Sequence, residues 1–256
     1  GVQTCALPIC RPVGWAELAG FAITVYIWTW PPGLLLVGIF GVFLLIALPL
    51  QYLRGNSPEH VAITGAVALS VAGLLMLVTF KTYDISVTNF SILHPVLAFA
   101  GAFGCVFMAW LARTVESRDL PAVTYPGTIL GLFVLAVLVM ALALPTLYGF
   151  FLDQLDRVIG FGTNSAALTV GEVQPPFEVG APLGTAVNQV LDFFYTSYGF
   201  AYLTAVAGIA IMLVRLALGQ SERWAASVFV LVWTALMTSA TLTQARFNYY
   251  LIVPVA

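Results

Sequence analysis

Apolar residues run along this chain in long stretches that alternate with neither the period of a strand nor that of a one-sided helix. Short polar, Pro or Gly breaks close each stretch. A helix that crosses a bilayer needs about 20 mostly apolar residues. Seven stretches meet that length, at roughly 14–30, 33–53, 60–80, 90–113, 127–149, 194–217 and 224–242. An eighth begins near 247 and stops inside an apolar run. The pattern predicts an all-α, polytopic transmembrane helical bundle. Gly65, Gly73, Gly101 and Gly104 suit close helix packing in lipid, where small residues let backbones approach. No solenoid period or low-complexity tract interrupts it.

Composition supports the pattern. Of 256 residues, 61% are hydrophobic and 8% are charged, against about 25% charged in a soluble domain. Such a chain cannot cover itself with a water-facing surface, which excludes soluble enzymes and disordered proteins. A net charge of −2 gives no basic footprint for nucleic acid. The opening GVQTCALPIC has no initiator Met and no signal-peptide character. Residues 1–9 read as a translated sequencing adapter (GGA-GTT-CAG-ACG-TGT-GCT-CTT-CCG-ATC), with Cys10 on a hybrid codon, so 1–10 are set aside as an artefact. With both ends looking cut, the expected object is an internal fragment of a longer protein. Cys105 is then left within an apolar span, too little for a disulfide framework or a Cys metal site.

The arrangement of basic residues sets an expected orientation. With residue 11 on the cytoplasmic side, Arg54, Arg113, Arg118, Arg215 and Arg223 fall inside, and Lys81 and Arg246 outside. Spans one to five then occupy 11–149, a long acidic loop 150–193 lies on the outer face, and spans six to eight fill 194–256. That loop holds five acids and one Arg, net −4. Long connections without their own structure are usually functional or disordered. Phe150, Phe151, Phe161 and Phe177 among the acids point to a structured, functional one.

Three motifs could carry chemistry. In Thr169-Val-Gly-Glu-Val-Gln-Pro-Pro176, Gly171 permits a sharp turn before Glu172, and Pro175 and Pro176 stiffen the end of the motif. A carboxylate held there could bind a divalent cation, accept from a substrate donor or act as a base, or be an ordinary loop acid. In Thr243-Gln-Ala-Arg-Phe-Asn-Tyr-Tyr-Leu-Ile-Val-Pro254, Arg246 sits where an outer loop becomes a membrane helix. A guanidinium with a helix N-terminus suits a phosphate; the alternative is snorkelling at the interface. Tyr26-Ile-Trp-Thr-Trp-Pro-Pro-Gly33 fits the interfacial aromatic belt, or a lining for a lipid-linked ligand.

Together these motifs resemble the catalytic subunit of archaeal oligosaccharyltransferase, the enzyme of N-glycosylation. Thr169-Val170-Gly171-Glu172 is a close variant of that family's Thr-Ile-x-Glu motif, followed by Gln174-Pro175. Arg246-Phe247-Asn248-Tyr249-Tyr250 with Pro254 is similar to its Arg-Phe pair before a Tyr-rich helix start. Two spans separate the motifs, as in the family, and the resemblance covers essentially 11–256. The single Lys and the WPPG turn are most like haloarchaeal members.

The resemblance implies a glycosyltransferase C type of membrane fold. It also implies transfer of a glycan from a dolichyl (pyro)phosphate-linked oligosaccharide to the Asn of an Asn-x-Ser/Thr sequon in an acceptor protein. Glu172 would bind the catalytic divalent cation (Mg2+ or Mn2+) and engage the acceptor amide. Arg246 would bind the lipid-linked phosphate, with Thr169, Gln174, Trp30 and Tyr249 as further substrate-binding candidates. The family's metal-binding aspartates and its Trp-Trp-Asp sequon-reading domain are not found in this sequence, so the fragment is expected to be inactive alone. The other readings are another polyprenyl-phosphate-sugar transferase, a transporter or a structural subunit. A transporter is disfavoured because the spans hold almost no charge away from their ends. His94-Pro95 reads as a helix-start Pro with a packed His. Asn89-Phe90-Ser91 is itself a sequon on the expected outer face.

Overall fold

A computed structural model describes residues 7–159, 174–219 and 224–251. Among them the chain forms nine α-helices, joined by turns and short 3-10 pieces, and no strand. In order they are α1 (Leu7–Thr29), α2 (Leu34–Leu53), α3 (Glu59–Thr79), α4 (Leu93–Ser117), α5 (Thr124–Ala143), α6 (Pro145–Ile159), α7 (Leu183–Tyr198), α8 (Ala201–Ala217) and α9 (Trp224–Thr243). Five segments are long and apolar enough to cross a membrane: 31–53, α3, α4, α5 and α9. A sixth arises if α7 and α8, bent by 106° at their junction, count as one. The protein is a multi-pass membrane chain.

The span expected at 14–30 is helical as far as Thr29, within α1. Two other expected spans take a different form. The stretch expected at 127–149 is split: α5 stops at Ala143 and Pro145 opens α6, in the first-turn place where a missing N–H costs nothing. The stretch expected at 194–217 breaks at Gly199, whose φ of +58° and ψ of −138° form a backbone turn that glycine adopts without the strain a Cβ would bring. Parts of the expected 150–193 loop are also helical, since α6 runs to Ile159 and α7 starts at Leu183.

The chain divides into two units, 1–132 and 133–256. In the first, α3 packs against α4 and α1, and α2 against α4. Lipid is as apolar as Leu, so the hydrophobic effect cannot drive these contacts; close van der Waals packing must. Small residues therefore line the seams. A Cβ on Gly20 would lie 2.3 Å from the Ala68 carbonyl oxygen, and one on Gly65 would lie 3.1 Å from Cys105 Sγ. Gly73 faces the Phe99 ring and Gly101 faces Leu69, whereas a Cβ on Gly104 would meet nothing within 4 Å. Three of the four glycines expected at seams are there; Gly104 is not, and Gly20 is the tightest. At the other end of the unit, Leu111, Ala112, Val115 and Tyr125 form a core cluster with Tyr52 against it. A bidentate ion pair joins α3 to α4, Arg113 donating to Glu59 at 2.5 and 2.8 Å.

In the second unit α6 packs on α9, α8 touches α7 and α9, and the turn after α9 folds back on it. Helices α7 and α8 contain no buried residue. Such exposure would be costly in water and is neutral in lipid.

Candidate functional site

The second motif begins at the last residue of α9. Gln244 N–H still donates to the Ala240 carbonyl, closing the helix at 2.9 Å, and Ala245–Leu251 then forms a 3-10 turn. Sequence reading expects a membrane helix to begin near 247; residues 245–251 form a 3-10 turn, and 252–256 lie outside the described residues. The turn's period of three places positions 246 and 249 in register on one face. Phe247 and Leu251 are buried, and Tyr249 is 70% exposed. The Phe247 and Tyr250 rings meet at 6.3 Å. The backbone of Arg246 therefore sits between a buried apolar anchor and an exposed tyrosine.

The first motif reaches the same place. Glu172 and Thr169 lie outside the described residues. Gln174, two positions after Glu172, is described, and its carbonyl accepts from Ala245 N–H at 2.9 Å. This bond joins the Glu-bearing loop to the residue preceding Arg246. The chain after Gln174 is fixed as well: Glu178 N–H donates to Gln189 Oε1 on α7 at 2.9 Å. Gln174 and Tyr249 are thus brought to one segment with Arg246.

Two further donors hold that segment. The Tyr198 hydroxyl at the end of α7 donates to the Asn248 carbonyl. The Trp233 indole N–H, midway along α9, donates to the Tyr250 carbonyl at 2.9 Å. Sequence reading missed both residues. Nothing separates them from other aromatic residues of membrane helices until the turn is seen folded against them.

Trp30 belongs to the first unit. It precedes the Pro31–Gly33 3-10 turn, receives an edge-on contact from Tyr26 at 6.1 Å, and accepts from Gly33 N–H at 2.8 Å. The turn is pinned by His94, which is fully buried. His94 Nδ1 lies 3.2 Å from both the N–H and the carbonyl oxygen of Ser91, and Nε2 lies 3.1 Å from the Pro31 carbonyl; the tautomer with its proton on Nε2 accepts from Ser91 N–H and donates to Pro31. The packed histidine expected at 94–95 is found there, and it ties the WPPG turn to the start of α4. In the connection before it, Lys81 N–H bonds Phe90 O and Ile92 N–H bonds Thr82 O. Within the Asn89-Phe90-Ser91 sequon, Ser91 is buried and its hydroxyl donates to the Ser86 carbonyl at 2.8 Å.

Among the described residues no three His, Cys, Asp or Glu side chains gather as a metal site. A hard divalent cation takes six or more oxygen ligands, so the described residues do not fit such an ion by themselves.

Comparison with known proteins turns these features into a relationship. No protein-family model matches the chain. The dolichyl-monophosphooligosaccharide–protein glycotransferase AglB of Haloferax volcanii is 32% identical to it, over 96% of this chain and 28% of that protein. The chain is related to one segment of the archaeal oligosaccharyltransferases. Its fold agrees: it superposes on the Archaeoglobus fulgidus oligosaccharyltransferase AglB with a TM-score of 0.79 at 21% identity. That match covers 96% of this chain and 28% of that one, and that protein was solved with an inhibitory peptide and a dolichol-phosphate. A structure of the A. fulgidus enzyme with zinc and sulfate matches at 0.61 and 19% identity, covering all of this chain and 26% of that one. The chain thus spans under a third of the length of the oligosaccharyltransferases it matches.

Proposed function

We propose that this chain is the central membrane segment of an oligosaccharyltransferase. The parent enzyme transfers a glycan from a dolichyl (pyro)phosphate-linked oligosaccharide to the Asn side chain of an Asn-x-Ser/Thr sequon. The observation that carries the reading is the Gln174 carbonyl bonded to Ala245 N–H. It joins the two motifs that sequence analysis assigns to the acceptor side and the donor side. The related A. fulgidus protein, solved with a peptide and dolichol-phosphate, supports both substrate classes.

In this reading the amide nitrogen attacks C1 of the first sugar. The C–N bond forms as the C–O bond to the lipid phosphate breaks, and the amide gives up one proton. Glu172 holds the amide and Arg246 neutralises the charge that develops on the departing phosphate. Thr169, Gln174 and Tyr249 line the substrates. The motif-bearing region 150–193 lies on the outer face of the cell membrane, among lipids that surround the spans. Glu172 is one ligand of a divalent cation, which when bound adds charge neutralisation at the phosphate; the zinc-bearing A. fulgidus structure supports a divalent ion. The other ligands come from elsewhere in the parent, so 1–256 alone has no transferase activity.

The test is transfer from lipid-linked oligosaccharide to a sequon peptide by the parent enzyme. Arg246→Ala and Glu172→Ala are each expected to cost about 10²–10³ in rate, the scale of losing one group that stabilises transition-state charge. Full transfer by either variant overturns that residue's role, and transfer by 1–256 alone overturns the division of ligands.

A further inference from the structure

We propose that Tyr198 and Trp233 are positioning residues that set the place of Arg246 at the donor phosphate. This rests on the proposed role of Arg246 in binding that phosphate. The 3-10 turn that carries Arg246 is held at three backbone points, each from a different part of the second unit. Ala245 N–H is fixed by Gln174, the Asn248 carbonyl by the Tyr198 hydroxyl, and the Tyr250 carbonyl by the Trp233 indole N–H. The anchors fall at 245, 248 and 250 and so bracket position 246 and the turn after it. The buried Phe247 and Leu251 hold the turn from its apolar side.

Both donors are well made for the task. Each is the polar tip of a stiff aromatic with two side-chain torsions. The Tyr198 ring is stacked near Phe194, 6.4 Å away at 15°, and Trp233 lies 6.0 Å from Phe229. Arg carries a long flexible stem, so the accuracy of its guanidinium depends on a fixed backbone beneath it. A displacement of about 1 Å at a catalytic group can cost about 10²-fold in rate. A seven-residue 3-10 turn has poor internal hydrogen bonds and cannot supply that rigidity alone. Neither aromatic need touch substrate; each acts through the backbone beside Arg246.

Kinetics of the full-length parent test this with separate titrations of lipid-linked donor and sequon peptide. Tyr198→Phe and Trp233→Phe keep an aromatic ring and remove the donor. Each is expected to raise KM for the lipid-linked donor about threefold to tenfold, the scale of one lost hydrogen bond. KM for the peptide should stay unchanged, and the thermal midpoint should fall by no more than a few degrees, the scale of one hydrogen bond. Replacing Tyr198 with p-aminophenylalanine, which restores a donor at the ring tip, should recover donor KM. Arg246→Ala is the reference. If it leaves both donor KM and kcat unchanged, the reading of Arg246 falls and the proposal with it; if it lowers kcat alone, Arg246 acts only in the transition state and the clamp's effect on donor KM is overturned. If it raises donor KM while both Phe variants leave it unchanged, the clamp alone is overturned. A Phe variant that loses thermal stability and raises both KM values together also overturns it, because that is the signature of a general structural role.

Discussion

The two units of this chain are stabilised in different ways. In the first, α1, α3 and α4 meet over glycines, and Gly20, Gly65, Gly73 and Gly101 each have a neighbour where a Cβ would go. In the second, a Cβ on Gly149, Gly184 or Gly208 would meet nothing within 4 Å, and α7 and α8 bury no residue. The turn 245–251 is fixed there, and polar bonds do much of it: Ala245 to Gln174, Tyr198 to Asn248 and Trp233 to Tyr250. Close packing is insensitive to what binds, and suits a scaffold. A turn held by a few hydrogen bonds can be adjusted one bond at a time, and suits a segment that meets substrate. Between these extremes is the His94 bridge, a buried polar tie inside the packed unit.

The largest expected effect is at the tightest seam. In Gly20→Ala the new methyl would sit 2.3 Å from a backbone carbonyl. No side-chain rotation relieves that, so α1 must shift off α3, at about 3 kcal/mol in reversible unfolding in detergent. Gly208→Ala, its counterpart in the second unit, should be neutral or slightly stabilising, by up to about 1 kcal/mol. Equal losses at the two positions would abolish the contrast between the units. Next comes His94→Phe, which keeps a ring but leaves Ser91 N–H and the Pro31 carbonyl without their partner. A cost of about 2 kcal/mol is expected, with faster hydrogen exchange across 81–92. Unchanged exchange there would mean that packing, and not the bridge, holds this connection.

Much of this was readable before the structure. Apolar runs located the helices because membrane spans must satisfy their backbone internally and so are long and uniform. Where a run contained a breaker, length alone misled. Gly199 in 194–217 and Pro145 in 127–149 each divide a stretch that reads as one span. The glycine seams were partly legible: small residues mark where helices can approach, but which of Gly101 and Gly104 faces a neighbour depends on rotation about the helix axis, which a helix apolar on every side does not encode. The candidate site divides in the same way. Gln174 and Arg246 are legible from their motifs. Tyr198 and Trp233 are not, since their role comes from a fold-back of the chain over 50 and 17 positions, and each matches the aromatic background of a membrane helix.

A smaller effect on stability should come with an informative effect on function. Ala245→Pro removes the N–H that Gln174 accepts. Residue 245 opens the 3-10 turn, a first-turn place where Pro fits and where no bond within the turn is lost. The change removes one hydrogen bond, at about 1 kcal/mol, and the ring Cδ takes the place of the N–H, so the Gln174 carbonyl must move off the turn; the helices stay as they are. If the second unit uses single bonds to align its two motifs, this one cut should separate them. Donor KM should rise about threefold to tenfold, as for the other two anchors, because the lost bond adjoins Arg246. Peptide KM should rise as well, as the Glu172 loop loses its tie to the Arg246 segment, a tie that the Tyr198 and Trp233 cuts leave in place. Unchanged KM for both substrates would show that this bond aligns neither motif, and the picture of separable bonds would give way to packing like that of the first unit.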